Sequence, residues 1–319
     1  MSDWRQGASA EDGVMSTNFS SGLWRLADPK ISITSAASMA IGASLAARDG
    51  SFSWLWLAVL GVAMFCMEVA KNAWGDIFDY DSGTDLAVLP EDRTDFSGGK
   101  RVLVDELLTR TQTWTIAGVF TAAGLCLGAL IVFAREPSVF LLGTAALLLG
   151  WSYHGPPLQL AYRGLGEIDV VLIYGPAIAL ATYVTLTGTY SFDVVWLSIP
   201  LGLYIAAFLW VNQFPDYSAD RGAGKRNLVV RLGKRAASRV LPLIYGLALV
   251  WLGWVSLILD LPGAFAFGAI SAIPAGAAVW WTWKNPESFY RSKPVQPAAL
   301  LAFVLLSAGI SAGTMLGNG

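Results

Sequence analysis

The stretch "NAWGDIFDYDSGTD", Asn72 to Asp85, follows directly on one of the most apolar segments of the chain. A second stretch, "NQFPDYSADRGAGKR", Asn212 to Arg226, follows another. Each opens on Asn and carries Asp four residues later, at Asp76 and Asp216. A step of four is close to one helical turn, so each Asn–Asp pair shares a helix face. Asp79 extends the first face and Asp220 the second, with Pro215 expected to kink or loosen the helix just before Asp216. Two such faces meeting in a bundle gather carboxylates at membrane depth, which is costly unless cations neutralise them. An all-oxygen donor set suits Mg²⁺ or Ca²⁺.

Working outward, the 319 residues are 55% apolar and only 14% charged. A soluble domain carries about 25% charged residues, so the composition excludes that class. Apolar runs fall at about 30–47, 53–75, 113–134, 137–154, 167–187, 193–214, 237–258, 263–283 and 297–317. Each is near the length that a helix needs to cross hydrocarbon. The fold class expected is all-α: a polytopic membrane protein whose nine transmembrane helices bundle around a central cavity. Residues 1–28 are polar, mixed in charge and without the apolar core of a secretory signal. They read as a cytoplasmic amino-terminal arm, and 29–319 as one transmembrane domain. Cys66 and Cys126 both lie inside apolar runs and read as packing residues. With no Cys/His cluster, a zinc or iron–sulfur site is not expected. The partner implied is the lipid bilayer, and no nucleic acid.

Lys and Arg set the orientation. Eighteen of the 21 fall in the amino-terminal arm, the even-to-odd loops and their flanks. Arg48 and Arg135 fall on the other side, and Lys71 lies within a span end. The positive-inside rule then puts the amino terminus and both acidic motifs on the cytoplasmic side of the inner membrane. Nine spans put the carboxyl terminus outside. A transporter would place its acids near the bilayer midplane, whereas these sit at span ends.

Base pairs accompany the acids: Lys100 and Arg101 after the first motif, Lys225 and Arg226 after the second. Acids interleaved with Lys and Arg suit a phosphate or diphosphate, bridged by metal to the carboxylates and held directly by the bases. Asp81, Asp85, Asp92 and Asp95 can equally be solvated loop residues, and Lys234, Arg235 and Arg239 read as topological. Lys71, with Glu68 one turn before Asn72, is a membrane-embedded charge, for which function is the default reading.

The two motifs and nine spans together resemble the UbiA superfamily of intramembrane prenyltransferases. Within it, "DYDSGTD", "KRVLV" and "YHGPPLQLAYRGLGE", with "GPAIALATYVTLTG" after them, look most like 1,4-dihydroxy-2-naphthoate polyprenyltransferases of menaquinone synthesis. The resemblance implies Mg²⁺-dependent transfer of a polyprenyl group from an allylic diphosphate to an aromatic acceptor. Other acceptors known in the superfamily, or cyclisation of the donor itself, are the alternatives. Carried onto this chain, it implies metal at Asp76, Asp79, Asn212, Asp216 and Asp220. It implies diphosphate contacts at Asn72, Lys100, Arg101, Lys225 and Arg226, and catalytic roles for Asn72, Asp76 and Asp216; Lys71 is a catalytic candidate from its own place inside a span end. The commonest first motif has Asp where this chain has Tyr80, so Asp79, Asp81 and Asp85 compete for the metal. An allylic cation needs electron-rich walls, for which Tyr153, Tyr162, Tyr174, Trp210 and Phe214 stand near span ends. His154, the single His, reads as a satisfied interfacial residue.

Overall fold

The computed structural model describes residues 19–316, and these are helical with no strand. Helix α1 covers 19–27. Then come α2 (Pro29–Arg48), α3 (Trp54–Asp81), α4 (Arg110–Ala134), α5 (Val139–His154), α6 (Gly166–Leu172), α7 (Ile178–Thr187) and α8 (Phe192–Gly222). The chain closes with α9 (Leu228–Leu232), α10 (Lys234–Ile258), α11 (Pro262–Gly268), α12 (Ala272–Lys284) and α13 (Val295–Leu316). Among the described residues, eight helical stretches are long and apolar enough to cross a membrane, and α5 is a shorter apolar helix. This is a polytopic all-α membrane protein, and each predicted apolar run coincides with one of these stretches. Of the arm predicted over 1–28, residues 1–18 lie outside the described residues, and 19–27 are helical with Leu26 fully buried.

Helix α5 has 16 residues. At 1.5 Å per residue it spans about 24 Å, short of the ~30 Å hydrocarbon core. Its limits follow from the sequence, with Pro137 just before it and Gly155, Pro156 and Pro157 just after. The fifth span is built from two pieces. Between α6 and α7 the residues Ile173–Ala177 form a π-helical turn around Pro176, with Gly175 at non-helical φ/ψ. The absent side chain of Gly175 lets this turn lie against Gly202 of α8, where a Cβ would meet the Gly202 Cα at 3.0 Å.

The main core joins α2, α7, α8, α10 and α13 through residues such as Ile41, Leu45, Leu197, Leu201, Tyr204, Phe303 and Leu306. A second cluster joins Leu26 of α1 to Val69, Ala73 and Ile77 of α3, Ile116 and Ala117 of α4, and Val102 and Leu108 of the α3–α4 loop. That second core folds a polar loop over one end of the bundle.

The expected kink at Pro215 is not a break. Helix α8 runs as one helix of 31 residues through Pro200 and Pro215. Likewise α3 extends beyond the apolar run to Asp81. Both acidic motifs therefore stand on continuous helix, and their spacing along the sequence becomes a face in space.

Candidate active site

A cavity of about 670 Å³ opens between α3, α4, α5, the α6–α7 span and α8. Asn72, Asp76 and Asp79 line it from α3, and Asn212, Asp216 and Asp220 from α8. The loops after each helix complete the rim. Asp76 accepts hydrogen bonds from the backbone N–H groups of Val102 and Leu103 at 3.3 and 3.2 Å. The α3–α4 loop thus holds the leading carboxylate of the first motif.

Gly98 and Gly99 both adopt the left-handed region, at φ +87° and +76°. Gly99 is forced further, because a Cβ there would collide with the Asp85 carboxylate. The Asp85 carboxylate, packed over Gly99, lines the cavity.

Lys225 sits between the two motifs. Its Nζ donates to both oxygens of Asp79 at 3.2 Å and lies 3.9 Å from Asp220 Oδ1. Burial works against this charge, but Asp79 and Asp220 overcome it and hold the ammonium well above its ordinary pKa. Asp79 also accepts from the Tyr162 hydroxyl at 2.6 Å, and His154 Nε2 stands 3.6 Å away. At Asp85, burial first and then the charge of Asp79, with Asp76 and Asp216 adding, pushes the carboxyl up to about 9.

Several of these oxygens are buried with no hydrogen-bond partner: Asp85 Oδ2, Asn212 Oδ1, Asp216 Oδ1 and Asp220 Oδ1. Buried polar atoms are normally paired, so four orphans around one cavity indicate a missing counter-charge. An all-oxygen set of this kind fits a hard divalent cation such as Mg²⁺. Among the described residues, no three His, Cys, Asp or Glu side chains are preassembled closely enough to cage an ion by themselves. Mg²⁺ commonly takes one or two carboxylates and completes its shell with water and substrate phosphate.

Residues 36–306 match the UbiA prenyltransferase family. The chain belongs to that family. Among its relatives, a 2-carboxy-1,4-naphthoquinone phytyltransferase of Synechocystis sp. is 31% identical over 180 residues, and the match spans about half of each protein, 55%. A 1,4-dihydroxy-2-naphthoate octaprenyltransferase of Bacillus subtilis is 21% identical over 229 residues, covering 72% of this chain and 71% of the relative. A solved UbiA homologue from Aeropyrum pernix K1 superposes with a TM-score of 0.69 at 18% identity, covering 88% of this chain and 96% of that one. One from Archaeoglobus fulgidus, bound to GPP and Mg²⁺, gives 0.65 at 16% identity, covering 93% and 99%. At such identities these structures share the fold.

The predicted site residues divide by place. Lys71, Asn72, Asp76, Asp79, Lys100, Tyr153, Tyr174, Asn212, Asp216, Asp220 and Lys225 all line the cavity. Asn72 also ties the amino-terminal helix down by donating to the Leu26 carbonyl at 2.8 Å. Lys100 is paired with Asp28, and burial pulls its ammonium below its ordinary pKa against that partner. Tyr162 stands behind the cavity wall and acts on it through Asp79.

Three residues point elsewhere. The Arg101 guanidinium donates to the Asp85 carbonyl at 2.8 Å and to Asp105, so it braces the loop from behind. Arg226 is exposed, with its backbone N–H on the Tyr162 carbonyl. Trp210 is buried on the far face of α8, donating to the Ala237 carbonyl at 3.0 Å. Of the competing carboxylates, Asp81 faces outward onto Arg110, with an oxygen 2.7 Å from Nη2, while Asp85 enters the cavity.

Some positions around the cavity escape sequence reading. Asp169 and Gln213 line the same cavity, and Glu167 orders the second loop by accepting from Gln213 and the Leu228 N–H. His154 is not satisfied in the expected way: its Nδ1 is buried without a partner and the ring packs on Gly75. The available signal for Asp169 was its charge inside a membrane-length apolar run.

Proposed function

We propose that this chain catalyses Mg²⁺-dependent transfer of a polyprenyl group from an allylic diphosphate to an aromatic acceptor. The observation that carries the reading is the convergence of both carboxylate motifs on one cavity, with orphaned oxygens and a bridging ammonium. Of the acceptors, 1,4-dihydroxy-2-naphthoate has the most support, because curated relatives such as the Bacillus subtilis enzyme are named for it. The Archaeoglobus fulgidus structure with GPP and Mg²⁺ supports the same donor class and metal.

Asp85, Asn212, Asp216 and Asp220 would hold the metal through their orphaned oxygens, and Asp76 and Asp79, whose oxygens already accept hydrogen bonds, would offer their remaining lone pairs. Bound there, Mg²⁺ supplies positive charge against the diphosphate of the donor. The chain's own residues do the rest. Lys225 and Lys100 offer preorganised positive charge where negative charge develops on the leaving oxygen. Below the rim the lining turns apolar, with Leu60, Ile131, Ile178 and Phe208 excluding water from an allylic cation. Tyr153 and Tyr174 present aromatic faces to it, worth about 1–2 kcal/mol each when desolvated. On the α4–α5 side the lining continues through Gly128, Gly143, Leu147 and the exposed Phe133 and Phe140. That side gives an insoluble prenyl tail a path into lipid.

We place the amino terminus and the rim on the cytoplasmic side of the cell membrane, from the distribution of Lys and Arg. Residues 29–319 would be the catalytic domain. The decisive experiment is product analysis by mass spectrometry of purified protein in lipid nanodiscs, given prenyl diphosphates of several lengths and a panel of aromatic acceptors. A prenylated product formed with Mg²⁺ and absent with EDTA is the expected result. No product with any donor and acceptor, or full turnover in EDTA, would refute it.

A further inference from the structure

The rim does not account for a second polar island deeper in the same cavity. Lys71, Glu68, Asp169 and Tyr174 line it there, among apolar side chains. Two of its three charges have partners. Glu68 accepts from Ser35, and Lys71 donates to the Tyr174 hydroxyl at 3.0 Å. Asp169 is 3% exposed, and its Oδ1 is buried with no hydrogen-bond partner. Lys71 lines the same cavity. A carboxylate oxygen kept bare at membrane depth is expensive, and such acids default to function.

Depth decides what the function is. Lys71 precedes Asp76 by five residues on continuous α3, so its Cα lies about 7.5 Å further along that helix than the rim, and Asp169 lines the same cavity from α6. A donor whose diphosphate occupies the rim hangs its reacting carbon just below, facing this level. The acceptor ring must lie against that carbon to be attacked. The π-helical turn at Ile173–Ala177 directs the α6–α7 span so that Asp169 and Tyr174 both reach the cavity.

We propose that Asp169 is the base that receives the hydroxyl proton of a phenolic acceptor. This rests on the prenyl-transfer reading of the site. The bonds balance without a further reactant. The donor C1–O bond breaks and its electron pair leaves on the diphosphate. A ring carbon ortho or para to the hydroxyl forms the new C–C bond to C1, while the hydroxyl proton passes to Asp169 Oδ1. The product of that step is a neutral dienone and a protonated Asp169. Loss of the ring proton and return of a proton to oxygen restore the phenol, and one proton leaves with the diphosphate.

The test uses the full chain in nanodiscs, with wild type, Asp169→Asn and Asp169→Leu. The Asn variant is isosteric, and thermal unfolding checks the fold of both. Turnover is measured with 1-naphthol and with substituted 1-naphthols of increasing hydroxyl acidity. Asp169→Asn should lose about 10²–10⁴-fold in kcat with 1-naphthol, the range of a lost general base. The loss should shrink below about tenfold for the most acidic naphthol, which needs the base least. Binding of geranyl S-thiolodiphosphate with Mg²⁺ should stay within about threefold. A loss under threefold, or one equal across the series, overturns the proposal. A separate arm compares binding of 1-naphthol with 1-methoxynaphthalene, which cannot donate. Wild type should prefer 1-naphthol about tenfold, near the value of one hydrogen bond to a charged group, and Asp169→Leu should lose the preference. No preference in wild type overturns the subsite. A preference without turnover by wild type on any acceptor keeps the subsite and overturns prenyl transfer instead.

Discussion

Replacing Lys225 with Met removes an ammonium that touches both acidic motifs. Its Nζ lies 3.2 Å from each Asp79 oxygen and 3.9 Å from Asp220 Oδ1, with a side chain only 14% exposed. At 3.2 Å and an effective dielectric near 20, a single such pair is worth about 5 kcal/mol of Coulomb attraction. Truncating one partner of a buried pair costs about 3–5 kcal/mol, part of which protonation of Asp79 recovers. In the reaction, losing one preorganised charge at the leaving group costs about 3–4 kcal/mol, or about 10²–10³ in rate. The assay is steady-state transfer in nanodiscs, paired with thermal unfolding at rising Mg²⁺. Lys225→Met should lose about 10²–10³ in kcat. Its unfolding temperature should respond to Mg²⁺ more than that of wild type, because divalent cations replace the missing ammonium. Lys225→Arg keeps the charge and should recover most of the loss. A kcat for Lys225→Met within threefold of wild type, with an unchanged Mg²⁺ response, would refute the bridging role.

Asp81 and Asp85 should separate cleanly: Asp81→Asn leaves transfer within about threefold, since an exposed pair with Arg110 is worth at most about 1 kcal/mol, whereas Asp85→Asn costs at least about 10²-fold. The raised Asp85 carboxyl, at about 9, holds a proton at neutral pH in the metal-free protein. Cation binding must displace that proton, so the apparent Mg²⁺ affinity should rise about tenfold per unit from pH 7 and level off near pH 9, and Asp85→Asn should flatten the profile. The same sign makes the metal-free fold lose stability as pH rises towards 9, because the folded state keeps a proton that the unfolded chain has released. Trp210→Phe should cost about 1 kcal/mol of stability through its lost bond to Ala237 and leave donor and acceptor KM unchanged.

The bundle was legible because lipid-length apolar runs leave little freedom, and each run became helix. The two motif faces were legible because i, i+4 spacing survives wherever the helix is continuous. Hydropathy placed the ends of α3 and α8 too early, since Asp79, Asp81 and Asp220 look like solvent residues although two of the three face a cavity. Loop residues were the hardest. Asp85 enters the site where the absent side chain of Gly99 leaves room for its carboxylate, and Arg101 misses it because its guanidinium is spent on the Asp85 carbonyl and Asp105. Such placements depend on contacts far apart in sequence. Trp210 shows the same limit on a helix: aromatic character near a span end does not say which face it takes, and here α10 claims it. Pro215 is tolerated mid-helix, where local propensity alone would break the chain.

Calorimetric titration of geranyl S-thiolodiphosphate, a donor whose carbon–sulfur bond resists ionisation, isolates the binding step from chemistry. It would be run on wild type, Asp76→Asn and Asp216→Asn, each with Mg²⁺ and with EDTA. Convergence of the two helix ends on one metal-bridged diphosphate requires binding only with Mg²⁺ and a loss of at least about 30-fold, some 2 kcal/mol, in each single variant. Binding that survives EDTA, or an Asp216→Asn affinity within twofold of wild type, would contradict it.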